Sequence, residues 1–174
     1  MPSREVAAVH SEDFVLAIVA AHPDRAIKGK KRLQKLAFFL KNAGAKCDAR
    51  FEIWDYGPFS REIAAAAQSL ALKGRLEERQ EPIGASGTFV TVYRMRPDTE
   101  STVRPLSEKY SRILRQLEKF PTVDLEVAAT YQFFRSAGLG SEAARKKTIE
   151  LKPVKANAQV MKSVQKIIAS AHPG

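Results

Sequence analysis

The side chains in this sequence best placed to do chemistry are cationic. Between Arg25 and Lys41 stand seven basic residues, Arg25, Lys28, Lys30, Lys31, Arg32, Lys35 and Lys41, with no acidic residue among them. Charges crowded in this way repel one another, and a polyanion whose counterions are released on contact relieves that repulsion. A second cluster, Arg145, Lys146, Lys147, Lys152 and Lys155, is interrupted by Glu150 alone. The formal net charge of the chain is +10. These features predict a polyanionic partner: a nucleic acid, with duplex DNA as the expected form, or an acidic protein. The expected contacts are Lys28, Lys30, Lys31, Arg32 and Lys35, joined by Arg61, Gln68 and Lys73 from a later helix. That expectation requires the early cations to gather on one positive face.

The stretch "WDYGPFS" holds the second candidate. Trp54, Asp55, Tyr56 and Phe59 can line a pocket for a small anion or a peptide at a helix N-terminus, with Asp55 as a polar handle. A simpler reading is a strand-to-helix corner whose aromatic rings pack on Leu33, Leu36 and Leu40. Gly57 stands before a proline, Pro58 lacks a donor, and Ser60 is a good helix cap, so each has a backbone reason to be there. The corner is the favoured reading.

Catalytic patterns are sparse. His10, His22 and His172 lack metal-ligand spacing, and neither a phosphate-binding G-x-x-x-x-G-K-[ST] loop nor a G-x-S-x-G nucleophile turn occurs. Pro97-Asp98 with Glu150-Leu151-Lys152 formally matches a nuclease P-D…E-x-K arrangement. Such carboxylates must converge on one metal from neighbouring strands, whereas Glu150 ends a predicted helix. The expectation is therefore a protein without catalytic residues, metal or cofactor. Cys47 is the only cysteine, which excludes an internal disulfide and a cysteine-based zinc cluster. The longest apolar run, "FVLAIVAA" from Phe14, is too short to cross a bilayer and follows Glu12 and Asp13, so the expected location is the cytosol.

The elements that must position these residues read mostly as helices. Ser11 is the expected N-cap of a first helix reaching about His22. In "GKKRLQKLAFFLKNAG", Leu33, Leu36, Ala37 and Leu40 recur at i, i+3, i+4 and i+7, and Gly44 is suited to close the helix. A short strand about Phe51 and Ile53 is expected to end at Tyr56. Ser60 then caps a helix whose inner face is Ile63, Ala66, Ala67 and Leu70, ending at Lys73 before Gly74. Strands over 75–80 and 88–95 enclose a loop rich in glycine and proline, a hairpin. Helices over 106–119, 124–137, 141–151 and 154–171 complete the chain, and the second of these, apolar on nearly all sides, is expected to be central.

This order gives an α+β, mostly α fold: a winged-helix-like core with a β-hairpin wing over residues 1–97, and a helical part over 105–174 packed on it. Three glutamates in the wing, Glu77, Glu78 and Glu81, would repel phosphate, and Ala64 and Ala65 on the third helix read no bases. The segments "RLQKLAFFLK", "FEIWDYGPFSREI", "LEVAATYQFF" and "TIELKP" together resemble the YwgA-like family of bacterial and archaeal proteins, and more distantly the Panacea domain of SocA-type antitoxins. The resemblance implies a winged-helix-like core with added helices and supplies no catalytic residues. It also implies an alternative role, a protein-binding antitoxin or adaptor module.

Overall fold

The structure, a computed structural model, describes residues 8–172. Helix α1 (Ser11–Ala21) carries Glu12 and Asp13 in its first turn, where the helix dipole favours negative charge. His10, not Ser11, holds the N-cap position, and it makes no side-chain cap. Ser11 lies one residue too far into the helix to cap it; its hydroxyl instead donates to the Asp48 carboxylate. His22 turns extended before Pro23 and ends the helix.

Strand β1 (Ala26–Lys28) has no counterpart in the sequence reading. Helix α2 (Lys30–Asn42) buries the expected stripe of Leu33, Leu36, Ala37 and Leu40, together with Arg32, Gln34, Lys35, Phe38 and Phe39. Gly44, at φ +105°, lets the chain turn away so that Ala45 N–H donates to the Leu40 carbonyl at 3.0 Å. The expected corner at Tyr56 is a hairpin. Strands β2 (Glu52–Trp54) and β3 (Gly57–Phe59) pair antiparallel across Asp55 and Tyr56. Helix α3 (Arg61–Leu72) begins as expected, with Ile63 N–H donating to the Ser60 hydroxyl at 3.3 Å.

Strands β4 (Leu76–Ile83) and β5 (Thr88–Met95) pair from Leu76 opposite Met95 to Ile83 opposite Thr88. Strand β1 adds to the free edge of β5, placing Lys28 opposite Val92, so the sheet order is β1-β5-β4. A short helix α4 (Pro97–Glu100) leads into α5 (Glu108–Leu117), α6 (Thr122–Ser136), α7 (Ser141–Leu151) and α8 (Ala158–Ala171). The last helix starts later than the spacing suggested because Asn157 caps it, accepting from Val160 N–H at 3.0 Å. The α+β, mostly helical class stands. Helix α6 is central, packing on α2, α7, α8 and β3. One apolar core runs through α1, α2, α3, the sheet and the later helices. Among the described residues no helix is long and apolar enough to cross a membrane.

Candidate functional site

The basic run does not form one positive face. Lys28 Nζ lies 3.4 Å from the Glu81 carboxylate and Lys30 Nζ 3.9 Å from Glu78, so the acidic hairpin sits against two of the expected contacts. Arg32 and Lys35 were expected at the surface and are inside. The Arg32 guanidinium donates to the Phe120 carbonyl at 2.9 Å, the Glu118 carbonyl at 3.1 Å and the Thr122 hydroxyl at 3.3 Å. Lys35, 1 % exposed, donates to the Pro58 carbonyl at 2.7 Å. The reason is geometric: a helix with one apolar stripe normally shows its other sides to water, but α6 and β3 cover a second side of α2. Lys73 is exposed and pairs with Glu12 at 2.9 Å. Lys31 alone of the five early contacts is both exposed and without an acidic partner among the described residues.

The aromatic residues likewise depart from the corner reading. Tyr56 is 53 % exposed and Trp54 43 % exposed, so neither packs on the leucine stripe. Trp54 stacks on Phe59 with ring centroids 4.7 Å apart, and the Arg61 guanidinium lies 5.6 Å from the Trp54 ring. Lys31 Nζ stands 3.6 Å from the centre of the Tyr56 ring and Lys155 Nζ 5.4 Å from it. Both distances fall within the reach of cation–π attraction. The hairpin therefore presents two rings flanked by three cations. The Asp55 carbonyl accepts from Lys152 Nζ, which ties the turn to the chain after α7. The N-terminus of α3 is occupied by its own residues, because Ser60 caps Ile63 N–H and donates to Glu62 at 2.9 Å.

Buried polar groups hold this exposed hairpin in place. Gln34 donates to the Ser60 carbonyl and accepts from Ser60 N–H, both at 2.9 Å, fixing the end of β3 to α2. From the other side Glu126, 1 % exposed, accepts from Lys152 at 2.7 Å and Lys155 at 2.9 Å. Burial opposes ionisation of Glu126, but its bonds to Lys152 and Lys155 outweigh burial, and its carboxyl lies below the ordinary range. Burial is also the main influence on Lys35. Attraction from Glu126 opposes it, repulsion from Lys152, Lys31 and Lys155 reinforces it, and the ammonium is lowered from 10.5 to about 7. Gly57, at φ +80°, passes so close to α6 that a Cβ there would lie 2.8 Å from the Thr130 hydroxyl.

Beside the hairpin lies a cleft of about 530 Å³ between α2, α3 and the long hairpin. Tyr56 and Phe59 line it from the short hairpin, Gln34 and Lys35 from α2, and Glu78 and Tyr93 from the sheet, with the buried Leu33 and Ala67 as its floor. Lys30 and Lys31 stand at α2's edge of it, with Gln68 on the α3 side. Sequence reasoning thus found Tyr56, Phe59, Lys31 and Gln68 but missed Gln34, Tyr93 and Glu126. A Gln-Lys pair inside "LQKL" and a lone glutamate inside "LEVAA" were the available signals. Both put polar groups where a core face needs partners.

The remaining candidates separate. Lys152 of the nuclease-like pattern is turned inward onto Glu126, and no group of three His, Cys, Asp or Glu among the described residues could hold a metal. Lys147 lies 5.6 Å over the Phe134 ring, on α7. Comparison of the chain with protein-family models, curated proteins and solved structures finds no match.

Proposed function

We propose that this protein is a cytosolic, non-enzymatic regulator that binds nucleic acid across the β2–β3 hairpin, within the winged-helix-like arrangement that the helix and hairpin order suggests. One observation carries the reading. Two exposed rings, Trp54 and Tyr56, are held on a braced hairpin with Lys31, Lys155 and Arg61 against their faces. A base takes the Tyr56 face once the Lys31 ammonium swings off it, and the displaced cation then meets the phosphate. A strand with unstacked bases fits this arrangement better than a closed duplex, whose bases present only their edges. Lys28 and Lys30 remain at the margin as secondary phosphate contacts, and Lys73 lies at the far end of α3 beside Glu12.

The test is fluorescence anisotropy with a labelled oligothymidylate of about ten nucleotides and with a duplex of equal length. The single strand is expected to bind more tightly, and its affinity to fall steeply between about 50 and 200 mM salt. Tyr56→Ala should weaken binding by roughly five- to 150-fold, the range expected for one stacked base. Absence of binding at low salt, or affinity indifferent to salt, removes the reading. An acidic protein partner is the second reading, favoured by the Trp, Tyr and Arg composition of the patch and by the Panacea resemblance. Binding of polyglutamate with none to either oligonucleotide would select it.

A further inference from the structure

We infer that the cleft behind Tyr56 receives one unstacked nucleobase of the bound strand, seated over Leu33 and Ala67 and read by the Tyr93 hydroxyl and the Gln68 amide. The inference rests on the nucleic-acid reading and names where that reading places a base. Its first support is Tyr93, a side chain only 4 % exposed that lines the cleft. Its hydroxyl is pushed up to about 12 by burial and by the nearby Glu78 carboxylate, with no hydrogen bond contributing. His22 Nδ1 is the only fully enclosed side-chain nitrogen or oxygen without a partner among the described residues. The Tyr93 hydroxyl likewise has no hydrogen-bond partner among the described residues yet is not fully enclosed, and the space that Tyr93 lines is the cleft. A phenol left unpaired in a recess whose surface is mostly apolar lacks the partner that buried hydroxyls ordinarily have.

The second support is the shape and charge of the recess. A volume of about 530 Å³ lies within the range of small-ligand sites and accommodates a planar base with room for its sugar at the mouth. The wall is aromatic, Tyr56 and Phe59, which suits a π-face, and the floor is aliphatic. Lys31 stands at the mouth, where the strand's phosphate would lie, and already faces the Tyr56 ring. A fully apolar occupant would leave the phenol unpaired. A base with donors and acceptors on its edge pairs it, and Lys30, Lys31 and Lys35, which also line the cleft against Glu78 alone, suit the phosphate that such a base carries.

Two variants and a mononucleotide test the inference. Tyr93→Phe removes only the hydroxyl, and Ala64→Phe, on the exposed side of α3, fills the cleft without touching the core. Oligothymidylate affinity is expected to drop about tenfold in each, with the slope of affinity against salt unchanged because no phosphate contact is lost. Thymidine 5′-monophosphate, followed by nuclear magnetic resonance shifts of the cleft residues, is expected to bind the wild type and not Ala64→Phe. If the oligonucleotide binds both variants within twofold of the wild type, the base pocket is wrong while strand binding stands. Failure of the wild-type protein to bind oligothymidylate overturns the strand reading, and mononucleotide binding blocked by Ala64→Phe would then still support the cleft as a base site.

Discussion

Replacing Lys35 by methionine isolates the energetic consequence of burying a cation under the hairpin. In the folded chain the ammonium titrates at about 7, against 10.5 for an ordinary lysine, chiefly because burial disfavours the charged form. Between these values the unfolded chain binds more protons than the folded one, so stability rises with pH across that window, by at most about 1.4 kcal/mol per pH unit. Below pH 7 both states are protonated and the folded state carries the whole penalty, roughly 5 kcal/mol. Above 10.5 the penalty is gone. Lys35→Met keeps the aliphatic bulk, removes the titration, and loses one hydrogen bond to the Pro58 carbonyl, a cost of about 1 to 3 kcal/mol. Urea unfolding of both proteins between about pH 7.5 and 9.5, followed by circular dichroism, gives the stability of wild type relative to variant at each pH. That difference should move in favour of wild type by roughly 2.7 kcal/mol over the two pH units. Burial raises the Cys47 thiol and the Tyr93 phenol, which erodes stability at alkaline pH, but both groups are present in each protein and cancel in the difference. A difference that stays flat, or that moves toward the variant as pH rises, would refute the buried ammonium.

The other expectations concern the same scaffold and its charge. Glu126→Gln leaves Lys152 and Lys155 without their carboxylate and should cost about 3 to 5 kcal/mol in denaturant unfolding, whereas a loss below about 1 kcal/mol would mean the network is loosely held. Gln34→Leu strands the Ser60 N–H and leaves the Ser60 carbonyl only its bond from Ala64 N–H at 3.2 Å, so it should lower stability by about 1 to 3 kcal/mol, with a matching fall in melting temperature. Gly57→Ala meets both a left-handed φ and the Thr130 hydroxyl at 2.8 Å. A loss of more than about 1 kcal/mol is expected, and an unchanged melting temperature would show that the hairpin can move off α6. Glu78→Gln with Glu81→Gln frees Lys30 and Lys28, so oligonucleotide affinity should rise and its salt slope should steepen by about one to two counterions. Unchanged slope would place those lysines outside the bound strand's path.

Elements whose signals are local were legible. The leucine stripe of α2, the Ser60 cap and Gly74 end of α3, and the β-branched run of β5 each carry their own period or cap, and all three formed where the spacing placed them. Strand β1 was not legible because three residues carry no period; it exists because the free edge of β5 is there to pair with. The Asp55-Tyr56 turn lacks the Asn-Gly or Asp-Gly signature of a tight hairpin, so it read as a corner. For the site, the sequence pointed to Lys31, Tyr56, Phe59 and Gln68 but misplaced Arg32 and Lys35. Arg32 turns inward onto Phe120 and Thr122, about ninety positions away, and Lys35 onto the Pro58 carbonyl beneath α6, partners that no window around α2 contains.

The distribution of charge explains why the expected surface shifted and did not vanish. Because β1 joins β5, and β5 pairs with β4, the start of the basic run is carried to the acidic hairpin, and Lys28 and Lys30 meet Glu81 and Glu78. Exposed pairs of this kind contribute at most about 1 kcal/mol each, so they do little for stability. Their larger effect is on the field: two carboxylates beside two ammonium groups cancel the potential that a phosphate would feel there. Around Tyr56 the balance differs, since the carboxylate that pairs with Lys155, Glu126, is buried and shared with Lys152, while Lys31 has no acidic partner among the described residues. Lys31 and the exposed part of Lys155 therefore keep their attraction for an anion outside. Exposed rings supply the contact that charge alone does not, and this is the combination that favours the hairpin over the basic helix as the place where a strand would lie.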